Sequence, residues 1–252
     1  MARKKVLVTG MSGLIGSAVR RHLDEKYELS ALNRGPIAGV PCHRADIADL
    51  DAILPAFEGQ DTVVHLAAIA RGDATWEEIL HHNVTGTYNV FEAARRGGVK
   101  RIVYASSGAA MAGWEREMPY RALVEGQYDA VPEHWEKLTH QTPVRPMGLY
   151  GCSKVWGEAL ARHSTDTSEL SILCLRLGAV NAEDRPRHAR DFSVWCSQRD
   201  IVQMIERCID APDNLRFDIF YVLSNNRWGY RDLEHARQVL GLVPQDAAEE
   251  HR

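Results

Sequence analysis

Paired cysteines are missing from this chain. Cys42, Cys152, Cys174, Cys196 and Cys208 are odd in number, widely spaced and without a C-x-x-C pair, so neither a disulfide framework nor a zinc site is indicated. The eleven histidines never form H-E-x-x-H, and the adjacent His81 and His82 read as part of a helix surface, so no metal is expected. Excess positive charge is also absent. Lys and Arg number 30 against 34 Asp and Glu, a net charge of −4, and the basic residues are scattered, which argues against nucleic acid as a partner. No run approaches the ~18 to 20 apolar residues of a membrane span. The start, Met1 to Lys5 and a short apolar run that Gly10 ends, lacks the longer apolar core of a signal peptide. A reducing cytoplasm and no membrane contact are the expectation.

The chain has 252 residues, 45% of them hydrophobic, which suits one large domain or one domain with a small appendage. Short apolar runs rich in Val, Ile, Leu and aromatics lie at 4–8, 27–32, 62–66, 101–105 and 171–177. Longer stretches of helical periodicity separate them, notably 14–22, 76–94 and 150–163. Parallel strands need such crossovers, so the pattern predicts an α/β fold, a Rossmann-type doubly wound parallel sheet. Residues 1–180 would form the dinucleotide-binding domain, with a loop-rich insertion at 114–147 where four prolines interrupt the periodicity. Residues 181–252 would form a small substrate-binding part: a helix near 199–209, a strand near 219–223 joining the main sheet and a helix near 231–240.

Gly10, Gly13 and Gly16 sit at the junction of the first strand and first helix, with Ser12, Leu14 and Ile15 among them. Glycine there permits a tight turn and lets backbone N–H groups approach a pyrophosphate at the positive end of the helix dipole. Asn33 and Arg34 end the second strand, where a carboxylate would hold the ribose hydroxyls of NAD. That carboxylate is missing and an arginine can accept a 2′-phosphate, so NADP is slightly favoured over NAD, unless Arg34 is simply a solvated surface residue. Asp46 and Ile47 are placed for the adenine amino group, although a cap or turn explains that aspartate nearly as well.

Tyr150 and Lys154 lie four residues apart, on one face of a helix. A neighbouring ammonium favours the phenolate, so such a tyrosine can exchange a proton with an alcohol or carbonyl. Ser106 and Ser107 stand at the carboxyl end of the fifth strand, the edge where doubly wound sheets hold ligands. A hydroxyl there can donate to a developing alkoxide, or it can close a turn. Asn83, within the long helix before that strand, can hold a water behind Lys154 or cap a local kink.

In order, TGMSGLIG, HLAAIA, NVTGTYNVFEAA, RIVYASS and YGCSK resemble the extended short-chain dehydrogenase/reductase family, the NAD-dependent epimerases and dehydratases, and within it most nearly the uronate dehydrogenases. The resemblance implies Tyr150 as general acid/base, Lys154 as its partner and ribose ligand, Ser107 as the group that orients the substrate oxygen, and Asn83 as anchor of a proton-relay water. It also assigns Leu66, Ala67 and Ala68 to the cofactor, and a homodimer paired through the two long central helices. Where uronate dehydrogenases carry Asn-His after the serine, this chain has Gly108 and Ala109; Ala70 replaces a polar residue after the fourth strand, and Asn33 an aspartate. With an insertion containing Trp114, Tyr120, Tyr128 and Trp135, these departures imply a larger or less polar substrate. Arg187 falls near the arginine that binds the substrate carboxylate in those enzymes, in a stretch that also reads as a solvated loop. The leading expectation is an NAD(P)-dependent oxidoreductase acting on a small alcohol or carbonyl, a sugar acid or other carboxylate among the candidates. The alternative is a redox-neutral sugar epimerase or dehydratase with tightly bound cofactor. The retained Tyr150 and Lys154 argue against a non-catalytic cofactor sensor.

Overall fold

A computed structural model describes residues 2–251. Strands β1 (Lys5–Thr9), β2 (Glu28–Asn33), β3 (Cys42–Arg44), β4 (Thr62–His65), β5 (Arg101–Ser107), β6 (Ser171–Leu177) and β7 (Phe217–Val222) form one sheet in the order β3-β2-β1-β4-β5-β6-β7. Every pairing is parallel. The sheet grows outward in both directions from β1 and β4, so their carboxyl ends border the crevice where the strand order reverses.

Alternation along the strands supplies both cores. Val6, Val8, Val103 and Leu173 face helices α1 (Leu14–Leu23) and α8 (Gln198–Ile209), whereas Leu7, Val63, Ile102 and Ile172 face α4 (Gly86–Arg96) and α6 (Gly148–Thr167). Short helices α2 (Leu50–Ile53), α3 (Trp76–Glu78), α5 (Tyr120–Glu125), α7 (Asp191–Val194) and α9 (Glu234–Leu240) complete the connections. No helix among the described residues is long and apolar enough to cross a membrane.

The structure departs from the sequence reading in three places. Helix 76–94 is interrupted: between α3 and α4, Ile79–Thr85 forms a π-helical segment that carries Asn83. The last predicted helix begins at Glu234 rather than near 231, because the Asp232 carboxylate accepts the amides of Glu234 and His235 at 3.0 and 3.2 Å. Residues 114–147 contain α5 and short 3₁₀ turns, and Tyr120, Leu123 and Leu138 pack against Val194, Tyr221, Leu223 and Tyr230 in a third core. Residues 181–252 add their strand to the same sheet, as expected of the strand near 219–223. Helix α8 packs on α1 within the first core, and β7 lies beside β6.

Helix α6 is fixed to the sheet by buried charge. Arg176 of β6 donates through Nε and Nη2 to the two Glu158 carboxylate oxygens at 2.9 and 2.8 Å, and Ser106 of β5 donates to the same carboxylate at 2.6 Å. Both charged side chains are almost fully buried. Removing one partner of such a pair strands the other charge in a low-dielectric interior. Glu158→Ala is therefore expected to lower unfolding free energy in urea by roughly 3–5 kcal/mol, and the double variant Glu158→Ala/Arg176→Met to recover most of that loss.

Candidate active site at the carboxyl edge of the sheet

The first part of the site is a cleft of about 490 Å³ over the β1–α1 turn. Gly10 has φ +72°, and a Cβ there would lie 2.9 Å from the Ala67 backbone; one on Gly16 would lie 2.5 Å from Met11 Cα. Helix α1 opens at Gly13 with no side-chain cap and no acidic residue in its first turn. Its first intrahelical bond runs from Ser17 N to Gly13 O at 2.9 Å, which leaves the Leu14, Ile15 and Gly16 amides ahead of the ladder. An uncapped helix N-terminus above a turn this close to the neighbouring strand fits the diphosphate of a dinucleotide.

The cleft brings together Gly10, Ser12 and Gly13 with Asn33 and Arg34 after β2, Asp46 and Ile47 after β3, and Leu66, Ala67 and Ala68 after β4. Leu14 and Ile15 stand in the first turn of α1, outside its lining. Asn33 accepts the Ser12 hydroxyl at 3.1 Å and donates to Gly35 O at 3.1 Å. Arg34 is exposed. The Asp46 carboxylate accepts the Ala48 amide at 2.9 Å and His81 Nε2 at 3.4 Å, so the turn reading of this aspartate is realised within the cleft. Burial pushes its carboxyl up, but the Ala48 amide and the two histidines prevail and hold it below the usual range.

Catalytic groups gather where β5 ends and α6 begins. β5 runs two residues beyond the predicted end, so both serines remain in the strand. Ser106 is committed to Glu158; Ser107 lies at the edge, where its Oγ accepts the Ala109 amide at 3.1 Å. Lys154 is buried and donates from Nζ to Ala105 O at 2.7 Å, 5.6 Å from the Tyr150 ring centroid. Burial lowers its pKa to about 8, against the opposing field of Glu158. The expected pull of the ammonium on the phenol does not dominate: burial raises the Tyr150 pKa, and the nearby Ser107 hydroxyl acts in the lowering direction.

Asn83 ties two elements together. Its Oδ1 accepts the Ile69 amide at 2.8 Å, while Nδ2 donates to Ile69 O at 2.9 Å and to Ser153 Oγ at 3.1 Å. The asparagine thus joins the loop after β4 to α6 and commits both its amide hydrogens to protein atoms.

His65, which sequence reasoning passed over, bridges Thr9 Oγ1 (2.7 Å) and Thr87 Oγ1 (3.2 Å) and stacks on Tyr104. Burial, and secondarily the charge of Lys154, push its pKa down to about 3, so the ring is neutral. The Lys154 ammonium rests 5.0 Å from the Tyr104 ring centroid. The available signal was a histidine ending an otherwise apolar strand.

A second cavity, of about 150 Å³, adjoins Ser107, Gly108 and Ala109. Ala70 lies exposed in the loop after β4 and is outside it. Arg187 is outside as well: it is solvent-exposed and pairs with Glu183 at 3.5 Å. The Asp191 carboxylate accepts the amides of Arg187 and His188 at 2.8 and 3.2 Å, a turn that brings Arg190 to the cavity instead. Arg190 grips both Glu115 oxygens at 2.7 Å, and Arg231 completes the wall. Glu115 and Arg231 were not among the residues the sequence nominated. They lie in the insertion and in a stretch read as a helix start, with no motif to mark them.

Residues 6–197 match the model of the NAD dependent epimerase/dehydratase family. The chain is similar to the NAD-dependent glucose-6-phosphate dehydrogenase of Haloferax volcanii, at 32% identity over 97% of this chain and 94% of that protein. It is also similar to the L-arabinose 1-dehydrogenase (NAD(P)(+)) of the same organism, at 30% identity over 96% of each. The crystal structure of uronate dehydrogenase from Agrobacterium tumefaciens superposes with a TM-score of 0.84 at 34% identity, covering all of this chain and 88% of that one. With a glycine cleft at the strand crossover, a tyrosine, lysine and serine where β5 ends and α6 begins, and a family match spanning most of its length, this chain belongs to the NAD dependent epimerase/dehydratase family.

Proposed function

We propose that this protein is an NAD(P)-dependent dehydrogenase of a small sugar-type substrate that carries an acid group. The observation that carries this reading is the meeting of Tyr150, Lys154 and Ser107 at the carboxyl edge of the sheet, on the same edge as the dinucleotide cleft, with Ser107 lining a cavity that bears arginines. Three relatives of different substrate name are all dehydrogenases, which favours net oxidation over a redox-neutral epimerase. A bound nicotinamide supplies the hydride acceptor. Tyr150 acts in its phenolate form, its Oη taking the proton from the substrate hydroxyl to become the neutral phenol, and the Ser107 hydroxyl orients the oxygen that loses it. Lys154 fixes the end of β5 through Ala105 O and holds positive charge behind the phenol. Arg190, rather than Arg187, anchors the substrate acid group from the far wall of the cavity.

Cofactor choice follows from the rim of the cleft. Asn33 offers no carboxylate to repel a 2′-phosphate, and Arg34 stands exposed beside it, so the site accepts NADP in addition to NAD and slightly prefers it. A panel of hexuronates, neutral sugars and sugar phosphates, followed by the absorbance of reduced nicotinamide with each cofactor, tests the whole reading. Product formed without net reduced cofactor would replace the dehydrogenase with an epimerase.

Tyr150→Phe is expected to lower turnover by roughly 10²- to 10⁴-fold while NAD affinity, read by fluorescence titration, stays within a few-fold of the parent. For Arg34→Ala, the affinity for NADP falls more than that for NAD, and equal losses would remove Arg34 from phosphate recognition. Lys154 adds a pH signature. Its folded pKa of about 8 lies below the 10.5 of the free side chain, so between those values the unfolded chain binds more protons and the native state gains as pH rises. Unfolding measurements should show the parent gaining on Lys154→Met by up to about 1.4 kcal/mol per pH unit in that window.

A further inference from the structure

The cavity beside the catalytic serine takes its polar character from a residue remote in sequence. Gly108 follows Ser107 and has no side chain; a Cβ placed on it would lie 2.5 Å from Arg231 Cζ and 2.7 Å from Arg231 Nη2. The guanidinium therefore fills the space that any side chain at position 108 would need. It enters from the segment between β7 and α9, where Leu138 of the insertion bridges to Arg231, Leu138 N donates to Tyr230 O at 2.8 Å and Asp232 N donates to Leu138 O at 2.9 Å. This backbone clamp fixes the direction from which the arginine reaches in.

Arg231 is buried at 4% exposure and lines the cavity. Its Nη2 donates to Tyr230 Oη at 3.1 Å and Gly108 O at 3.3 Å, and lies 3.5 Å from Glu115 Oε1. Nε has no hydrogen-bond partner among the described residues. Glu115 is shared, since it also receives Arg190 and the Tyr230 hydroxyl. Burial raises the Glu115 carboxyl, but Arg190 and Arg231 outweigh it and keep it ionised, whereas burial raises the Tyr230 phenol and keeps it neutral. Two guanidinium groups thus face one carboxylate, which leaves one positive charge in the wall; on Arg231, Nε is sealed from solvent and Nη1, beside Gly108, carries no hydrogen bond among the described residues. Such an arrangement is costly until an anionic oxygen answers it.

We propose that Arg231 is a specificity-determining residue: held over Gly108 and braced by Glu115, it presents its unpaired Nη1 to the substrate carboxylate opposite Arg190 and makes the pocket select a singly charged acid. The inference rests on the dehydrogenase reading and narrows its substrate class. A phosphate monoester carries about 1.5 to 2 negative charges, more than the single uncompensated positive charge of the wall, so a sugar phosphate is the poorer ligand. Charge-assisted hydrogen bonds of this kind change binding by about 10- to 100-fold.

The test compares kcat/KM for a hexuronate, the matching neutral hexose and the hexose 6-phosphate with NAD, in the parent, Arg231→Met, Arg231→Lys and Gly108→Ala. The parent is expected to prefer the hexuronate. Arg231→Met and Gly108→Ala should each lower the hexuronate-to-hexose ratio by about 10- to 100-fold, chiefly through KM, and Arg231→Lys should restore part of it by keeping the charge without the fork. Gly108→Ala supplies the same evidence if Arg231→Met does not fold, because its methyl displaces the flexible tip of the arginine. An unchanged ratio in both variants, or a parent that prefers the phosphate, overturns the inference while leaving the dehydrogenase reading intact. Oxidation of neither sugar by the parent sinks that reading instead, and calorimetry with the hexuronate then decides the role of Arg231. Binding by the parent that Arg231→Met loses supports the role, and no binding by the parent overturns it.

Discussion

Glu158 and Arg176, buried against each other between α6 and the sheet, constrain where the catalytic groups can stand. Tyr150, Lys154 and Glu158 follow one another at four-residue intervals, so they share a stripe of α6. The guanidinium of β6 and the Ser106 hydroxyl of β5 hold the lower end of that stripe, which fixes the rotation of the helix and with it the direction of the two residues above. The same carboxylate raises the Lys154 pKa against the burial that lowers it. One ion pair thereby places the ammonium and sustains part of its charge.

Around this stripe His65 and Asn83 find partners for their polar atoms, whereas the buried Tyr104 hydroxyl has none. His65 is held neutral between two threonine hydroxyls, from β1 and α4, and its ring supports Tyr104 beneath Lys154. A second charge here would repel the ammonium, and the low pKa of the histidine removes that conflict. Asn83 ties the loop after β4 to α6 through Ile69 and Ser153. The wide turn of the π segment brings that side chain inward, which a continuous α-helix over 76–94 would not have signalled.

Much of the fold and the dinucleotide half of the site were legible because their chemistry is local. Gly10, Gly13 and Gly16 lie within one turn of chain, and their spacing reports backbone conditions that hold whatever surrounds them. Tyr150 and Lys154 are one helical turn apart, so their convergence needs only the helix. Strand positions could be read from apolar runs, although the ends of β5 and α9 shifted where Ser107 and Asp232 made side-chain bonds to the backbone. The expected effect of Lys154 on the phenol erred because a pair read in isolation omits burial, which sets the direction for Tyr150.

The substrate half was opaque for the opposite reason. Its wall joins Ser107 and Gly108 of the β5 end, Glu115 of the insertion, Arg190 before α7 and Arg231 before α9, and no spacing in sequence encodes their meeting. Arg187 was nominated by counting along the loop, yet the Asp191 turn reverses the chain there and sends Arg190 inward. Gly108 likewise read as a loss of polar function, since a glycine offers no hydrogen bond. Its missing side chain is what admits the Arg231 guanidinium, so the position next to the serine remains polar through a residue over a hundred positions away. A family's cofactor chemistry can therefore persist in recognisable segments while its substrate chemistry is rebuilt from loops, and an apparent deletion in a motif is a place to look for a side chain arriving from elsewhere.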